Sequence, residues 1–369
     1  MNFTSPISPF LKWPGGKTSE LDKIIGHAPK QFNRYIDPFV GGGSVLLSVS
    51  PRIRAAVNDI CPELIHLYQV SKQSDRDFEA IANQIDSAWS ALSELGESIE
   101  LASEHFFNTG TISDKTLQSL IENSIKDVTA FLSKADLATF GAIMKKDLPK
   151  KIQRMFKLQV KNSTTLNFED VKANIEGSIK SSLYMMVRAR YNVARLNGVH
   201  STQRDCDFFF LREYAYASMF RFNASGGFNV PYGGVSYNNK KFALKYSRLY
   251  SDELHGRLKN TELFNLDWKE FLQQVSPNSN DFIFIDPPYD SDFSDYDNRS
   301  FDVDNQTELA HFLSDLDAKI MIVIGDTPLI RQLYSSSKWN TLEDEIAYKW
   351  TIKSRNDRSK NHLTIRNYS

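Results

Sequence analysis

Asp281-Phe282-Ile283-Phe284-Ile285-Asp286-Pro287-Pro288-Tyr289 decides how the chain is read. The run 282–285 is short, aromatic and β-branched, which predicts a fully buried strand. Asp-Pro-Pro-Tyr ends it abruptly. Neither proline has an N–H, and both hold φ near –65°, so ladder pairing stops there. An acid and an aromatic ring are then held stiffly at the C-terminal edge of a sheet, where open α/β sheets bind ligands. A plain Asp-Pro-Pro turn is the competing reading, and the rest of the chain must decide.

Upstream, Tyr35-Ile36-Asp37-Pro38-Phe39-Val40-Gly41-Gly42-Gly43-Ser44-Val45-Leu46-Leu47 predicts a strand ending near Ile36, a glycine turn, and a helix opening at Ser44. This is the pattern of the first βα turn of a nucleotide-binding sheet. Ala55-Ala56-Val57-Asn58-Asp59 follows as a short apolar strand ending in an acid. An acid there accepts hydrogen bonds from ribose hydroxyls. Asp59 also suits N-capping of a helix over 62–71. Glu262-Leu263-Phe264-Asn265-Leu266-Asp267-Trp268 is a further strand-like run ending in an acid, before a helix over 269–274. Residues 319–327 read as a buried strand and turn. The end of the chain reads as two closing strands around a basic loop at 353–361, and 291–304 has the polar, acidic composition of a lid.

Trp13-Pro14-Gly15-Gly16-Lys17-Thr18 near the start is a tight loop with a ring on one side and a cation on the other. It lacks the first glycine of a phosphate-binding loop, since Leu11 stands there, and no strand-forming run precedes it. A short amphipathic helix is expected from Leu21.

Residues 75–180 carry helical periodicity and no legible chemistry. Phe78, Ile81, Ile85, Trp89, Leu92 and Leu95 recur at helical spacing and predict core. Helical patterns return at 181–192, with Arg188, Arg190 and Arg195 nearby, and at 207–216. The stretch 219–234 then interleaves arginine, asparagine and aromatic residues around Asn223-Ala224-Ser225-Gly226-Gly227, a hairpin signal. Such a mix suits nucleic acid: charge for phosphates, forked side chains for base edges, rings for stacking.

Charge is nearly balanced, with 44 Lys and Arg against 45 Asp and Glu, so any polyanion must be met by a local basic face. Lys145, Lys146, Lys150, Lys151, Arg154, Lys157 and Lys161 form one such segment, and 349–366 another. Two cysteines, Cys61 and Cys206, exclude a disulfide scaffold and suit a reducing cytoplasm. No apolar run reaches about 18 residues, so no membrane span is expected. No secretory signal pattern opens the chain, and no Cys/His cluster has zinc spacing.

Taken in order, residues 10–17, 37–44, 58–59, 221–233 and 286–289 resemble the Dam-type, alpha-class DNA adenine-N6 methyltransferases. Asp-Pro-Pro-Tyr alone is shared with other amino-methyltransferases; the Trp-x-Gly-Gly-Lys, Pro-Phe-x-Gly-x-Gly and Phe-Asn-Val-Pro set is far more specific. The resemblance implies an α/β fold, a Rossmann-like S-adenosylmethionine-dependent methyltransferase sheet with a helical and hairpin target-recognition region. It divides the chain into 1–85 (catalytic, first part), 86–180 (helical insertion), 181–259 (target recognition) and 260–369 (catalytic, second part). It implies S-adenosyl-L-methionine as cofactor, contacted by Trp13, Lys17, Asp37, Phe39, Gly41, Gly43, Asp59, Asp267 and Asp286. Asp286, Pro287 and Tyr289 become catalytic, and Tyr216, Met219, Arg221, Asn223 and Pro231 become DNA contacts. Double-stranded DNA is the implied partner, with a cognate restriction endonuclease as a candidate and no metal. An inactive core that only binds DNA, or a methyltransferase acting on RNA, is the alternative.

One departure stands out. Family members reading GATC carry Tyr-Asn-Gly-Leu-Cys-Arg before Tyr-Asn. Here the aligned residues are Tyr216-Ala217-Ser218-Met219-Phe220-Arg221, which leaves the DNA word open.

Overall fold

In the computed structural model, residues 2–288, 301–344 and 362–368 are described. They divide into two compact units: Met1–Ser74 with Arg248–Ser369, and Asp75–Ser247.

The first unit is built on seven strands: β1 Arg34–Asp37, β2 Arg54–Asn58, β3 Thr261–Phe264, β4 Asp281–Ile285, β5 Lys319–Gly325, β6 Asn340–Asp344 and β7 His362–Arg366. Their order is β3-β2-β1-β4-β5-β7-β6. The first five run parallel, and β7 lies antiparallel between β5 and β6. This is the Rossmann-like methyltransferase sheet that the motif order implies. The chain moves outward from β1 to β3, then returns to place β4 on the other side of β1. The crevice between β1 and β4 is therefore the topological switch point, the ligand position of open α/β sheets.

Period-2 alternation in the strands feeds one core. Ile283 and Ile285 of β4 share a buried cluster with Ile36, Ile320, Ile322 and Ile365, under Phe271 and Leu309 of the covering helices. On the other side Phe282 meets Phe32 and Tyr35, with ring centroids 5.2 and 5.9 Å apart. β4 is buried along its whole length, as its composition predicts.

One local expectation is corrected. No α-helix opens at Ser44; a single 3₁₀ turn, Leu46–Ser48, follows the glycines. The chain is pulled straight at Val49, which bridges Phe3, while Thr4 N–H donates to Ser48 O at 2.9 Å. Pro51 then disfavours helix at Ser50. The helices expected near Leu21, Pro62 and Lys269 form as Leu21–His27, Pro62–Gln73 and Trp268–Val275, and a further helix spans Val303–Asp315.

The second unit is helical: Arg76–Ala91, Gly96–Thr109, Asp114–Val128, Lys134–Asn162, Phe168–Leu196 and Thr202–Tyr214. Asp75, Ser113, Ser133, Asn167 and Ser201 each accept a backbone N–H of the turn they open, which sets the helix starts. The core is aromatic, with Trp89 against Tyr214 at 4.4 Å and Phe210 at 5.6 Å. The division expected at 180 falls inside the helix Phe168–Leu196. Among the described residues no helix is long and apolar enough to cross a membrane.

Candidate active site

The C-terminal ends of β1, β2, β3 and β4 carry Asp37, Asp59, Asp267 and Asp286. All four acids are tied to backbone or to a cation before any ligand is considered.

Asp286 leaves β4 at the switch point. Lys17 Nζ, from the Gly15-Gly16 loop, lies 2.7 Å from both of its carboxylate oxygens and donates to Gly15 O at 2.8 Å. The lysine is 2% exposed and the carboxylate 19%, so the cation sits behind and the acid faces outward. Burial lifts the Asp286 pKa, and the Lys17 charge and hydrogen bond pull it back down. Behind this pair lies a second, wholly buried one, His362 Nδ1 against Glu20 Oε2 at 2.9 Å.

Asp37 ends β1 facing inward. Tyr35 Oη donates to one oxygen at 2.8 Å and Phe39 N–H to the other at 3.0 Å. Burial dominates and raises its pKa to about 7, the two hydrogen bonds opposing that rise. The carboxylate fixes the turn from which Phe39 emerges half-buried.

Asp59 follows β2. One oxygen accepts Gly41 N–H at 3.0 Å and the other Cys61 N–H at 2.9 Å. It thus braces the start of the helix from two residues upstream of the N-cap, Cys61. Burial raises its pKa to about 6 against those two donors. It remains half-buried, and each oxygen keeps a second lone pair for a hydroxyl.

The glycines are needed for close packing. A Cβ on Gly41 would stand 2.8 Å from the Trp13 indole, and one on Gly43 2.2 Å from Tyr68 Oη, both at positive φ. Tyr68 Oη in turn donates to Gly41 O at 3.0 Å. Asp267 is exposed and caps the helix Trp268–Val275, accepting Lys269 N–H at 2.9 Å. Pro287 is buried and Pro288 O accepts Gln306 Nε2 at 2.9 Å. Tyr289 lies outside the described residues, as do residues 291–300 of the polar stretch 291–304 and the basic loop 353–361.

Three supporting residues had no assigned role in the sequence. Asn58 donates to Pro38 O at 3.1 Å and Leu266 O at 3.0 Å, and accepts Leu266 N–H at 2.8 Å. One amide thereby locks together the loops after β1, β2 and β3. Its signal was a polar residue closing an apolar strand. Tyr68 and Gln306 gave none.

In the helical unit the hairpin forms as expected, with Phe222 bridging Phe228 and Asn223 N–H donating to Gly227 O. Asn192, on the helix Phe168–Leu196, clamps Phe228 through both N–H and C=O. Arg195 lies over the Phe222 ring at 4.1 Å. Arg190 is spent internally on Asp207 and Asp136. Tyr216, Arg221, Asn223 and Pro231 are exposed, and Met219 is half-buried. Arg221 Nε donates to Asn229 Oδ1 at 3.2 Å. Asn223 Oδ1 closes its own turn by accepting Ser225 and Gly227 N–H.

Comparison with known proteins agrees with this geometry. A family model described as D12 class N6 adenine-specific DNA methyltransferase matches residues 13–109 and 129–349. Within 86–180, it passes over only residues 110–128. The chain is 25% identical to the Type II methyltransferase M.CviBI of Paramecium bursaria Chlorella virus NC1A, covering 98% of this chain and all of that one. It is 26% identical to the Type II methyltransferase M.MjaIII of Methanocaldococcus jannaschii, over 86% of this chain and 83% of the relative. A DNA adenine methylase of Vibrio cholerae is 22% identical over 90% and 87%.

Proposed function

The chain belongs to the D12 class N6 adenine-specific DNA methyltransferase family, and we propose that it moves a methyl group from S-adenosyl-L-methionine to an adenine turned out of duplex DNA. The observation that carries this reading is the Lys17–Asp286 pair at the β1/β4 crevice.

The residues present fit the cofactor. Asp59 offers two accepting oxygens beside a tight glycine turn, the chemistry a ribose diol requires. Trp13 stands over Gly41 as an aromatic face, with Phe39 half-buried after β1 and Asp267 exposed after β3. The cofactor supplies an electrophilic methyl group on a sulfonium.

The adenine N6 lone pair is delocalised into the ring, so the protein must recover it. Asp286 Oδ and the Pro287 carbonyl are the acceptors we assign to the two N6–H bonds. Accepting both turns the nitrogen toward a pyramidal geometry. The N–C bond forms as the S–C bond breaks, and N6 sheds one proton, for which Asp286 is the nearest assigned acceptor. Lys17 stays behind the carboxylate, keeping it anionic and oriented. Catalysis on this reading is positioning and fixed electrostatics. Flipping costs a few kcal/mol, and stacking on Tyr289 would return about 1–3 kcal/mol. The hairpin residues Tyr216, Met219, Arg221, Asn223 and Pro231 are our candidates for reading the DNA word.

Two relatives bear the name Type II methyltransferase. We propose a cognate restriction endonuclease as functional partner and action on DNA in the cytoplasm.

Labelled methyl transfer to duplex DNA, with RNA and protein acceptors in the same assay, tests the reading. N6-methyladenine should appear in DNA, and Asp286→Ala should abolish it while circular dichroism shows the fold unchanged. Near-normal turnover by that variant would remove Asp286 from the mechanism.

A further inference from the structure

We propose that the helix Lys134–Asn162 carries a second DNA contact, a basic stripe that holds the phosphodiester backbone independently of the target site. The proposal rests on the methyltransferase reading for its choice of polyanion.

The stripe is a matter of spacing. Lys146, Lys150, Arg154, Lys157 and Lys161 follow one another at three or four residues. At 3.6 residues per turn they fall within an arc of about 80°, over a length of about 22 Å. All five are exposed. The buried side chains of the same helix, Phe140, Met144, Leu148, Ile152 and Met155, occupy the opposite arc. None of the five forms an ion pair among the described residues.

Neighbouring cations are accounted for elsewhere. Lys145 lines a groove with Asp114 and Glu122. Lys151 is half-buried beside Asp147. The helix macrodipole explains only Lys161, in the last turn. The other four repel one another at i,i+3 and i,i+4 spacing, and Asp147, three residues before Lys150, offsets only part of that repulsion. On the helix Asp114–Val128, by contrast, Lys115 and Lys126 share the exposed surface with Asp114, Glu122 and Asp127. A row of unpaired like charges about 22 Å long matches roughly six base-pair steps of one DNA strand. It lacks the forked amides and exposed rings of the hairpin, which suits backbone holding rather than base reading.

The test uses the full-length enzyme with all five residues changed to glutamine (Lys146→Gln, Lys150→Gln, Arg154→Gln, Lys157→Gln, Lys161→Gln). Binding to a duplex is measured across salt concentrations. Each phosphate contact contributes a slope near –0.9, so losing all five should flatten the log–log salt dependence by about 4.5. KM for DNA should rise at least tenfold near physiological salt, with kcat at saturating DNA within about twofold. An unchanged slope and KM would overturn the proposal. Should the variant misfold, lysine acetylation footprinting of the wild-type protein decides. Duplex DNA must protect Lys146, Lys150, Lys157 and Lys161, and equal reactivity with and without DNA overturns the stripe. Protection by heparin but not by DNA would do the same. Failure of the methyltransferase reading would show separately, as absence of methyl transfer by the unaltered enzyme.

Discussion

Lys17 Nζ lies 2.7 Å from each carboxylate oxygen of Asp286, although 269 residues separate them in the chain. The contact makes one site of the amino-terminal glycine loop and the end of β4. It also sets the electrostatics there. A carboxylate withdrawn from water favours its neutral form, and a buried ammonium beside it restores the anion.

Lys17→Met should therefore impair catalysis through Asp286 rather than through folding alone. Without the cation, burial and the Glu20 charge are opposed only by His362, and the carboxylate's pKa rises further. We expect kcat to fall by about 10- to 100-fold at neutral pH and the acidic limb of the pH–rate profile to move to higher pH. Activity should then partly recover under alkaline conditions. A profile whose acidic limb stays in place would leave Lys17 a purely mechanical support.

Asp37 makes stability depend on pH with a definite sign. Its folded pKa is raised to about 7 by burial, against an ordinary value of 3.8. Between those values the folded chain holds a proton that the unfolded chain has lost. Stability is thus fully present below about pH 4 and is lost as pH rises through 7. Asp59, raised to about 6, acts in the same direction. Asp37→Asn keeps an acceptor for Phe39 N–H and removes the charge. Its melting temperature should gain on the wild type between pH 5 and pH 8, by an amount corresponding to a few kcal/mol. Parallel melting curves across that range would show that Asp37 does not titrate there.

Sequence spacing revealed the strands that end in acids because burial, alternation and a terminal Asp are local properties. It also separated the hairpin at Asn223 from the helices before it. It did not reveal what lies behind the site. Asn58 reaches Leu266 across 208 residues, and His362 reaches Glu20 across 342. Nothing local marks either pairing. The helix expected at Ser44 failed for the same reason, since the chain at Val49 is claimed by Phe3 from the amino terminus. Gly41 to Gly43 were legible as a turn, but not that Trp13 and Tyr68 fill the space their missing side chains leave.

That last contact gives a double-mutant test. Gly43 has φ +71°, and an added Cβ would lie 2.2 Å from Tyr68 Oη and 3.3 Å from Cζ. Gly43→Ala should cost about 2–4 kcal/mol through left-handed strain and the clash together. Tyr68→Phe removes the hydroxyl while leaving the ring. In that background the alanine should cost at least about 1 kcal/mol less, a positive coupling read from denaturant unfolding. Additive penalties would mean that the backbone conformation alone requires glycine.

The exposed loop before Arg221 stores strain of its own. Ala217 and Ser218 stand consecutively at φ +53° and +52°, a conformation costly for both side chains. The related Dam-type motif carries Asn-Gly at these positions, the residue types that adopt it most readily. Here Ala and Ser adopt it, so the conformation is held against local preference. Ala217→Asn with Ser218→Gly should stabilise the protein by about 1 kcal/mol in thermal unfolding. If the loop also presents Met219 and Arg221 to DNA, the same pair should change which adenines are methylated, as mapped by sequencing N6-methyladenine. Arg221 is kept in place by Asn229 and is untouched by the change. A word altered beside an unaltered position would therefore assign that altered base to the asparagine and the unaltered one to the arginine. A stabilised variant with an unchanged word would confine the loop to structure and move the search for base readout to the hairpin itself.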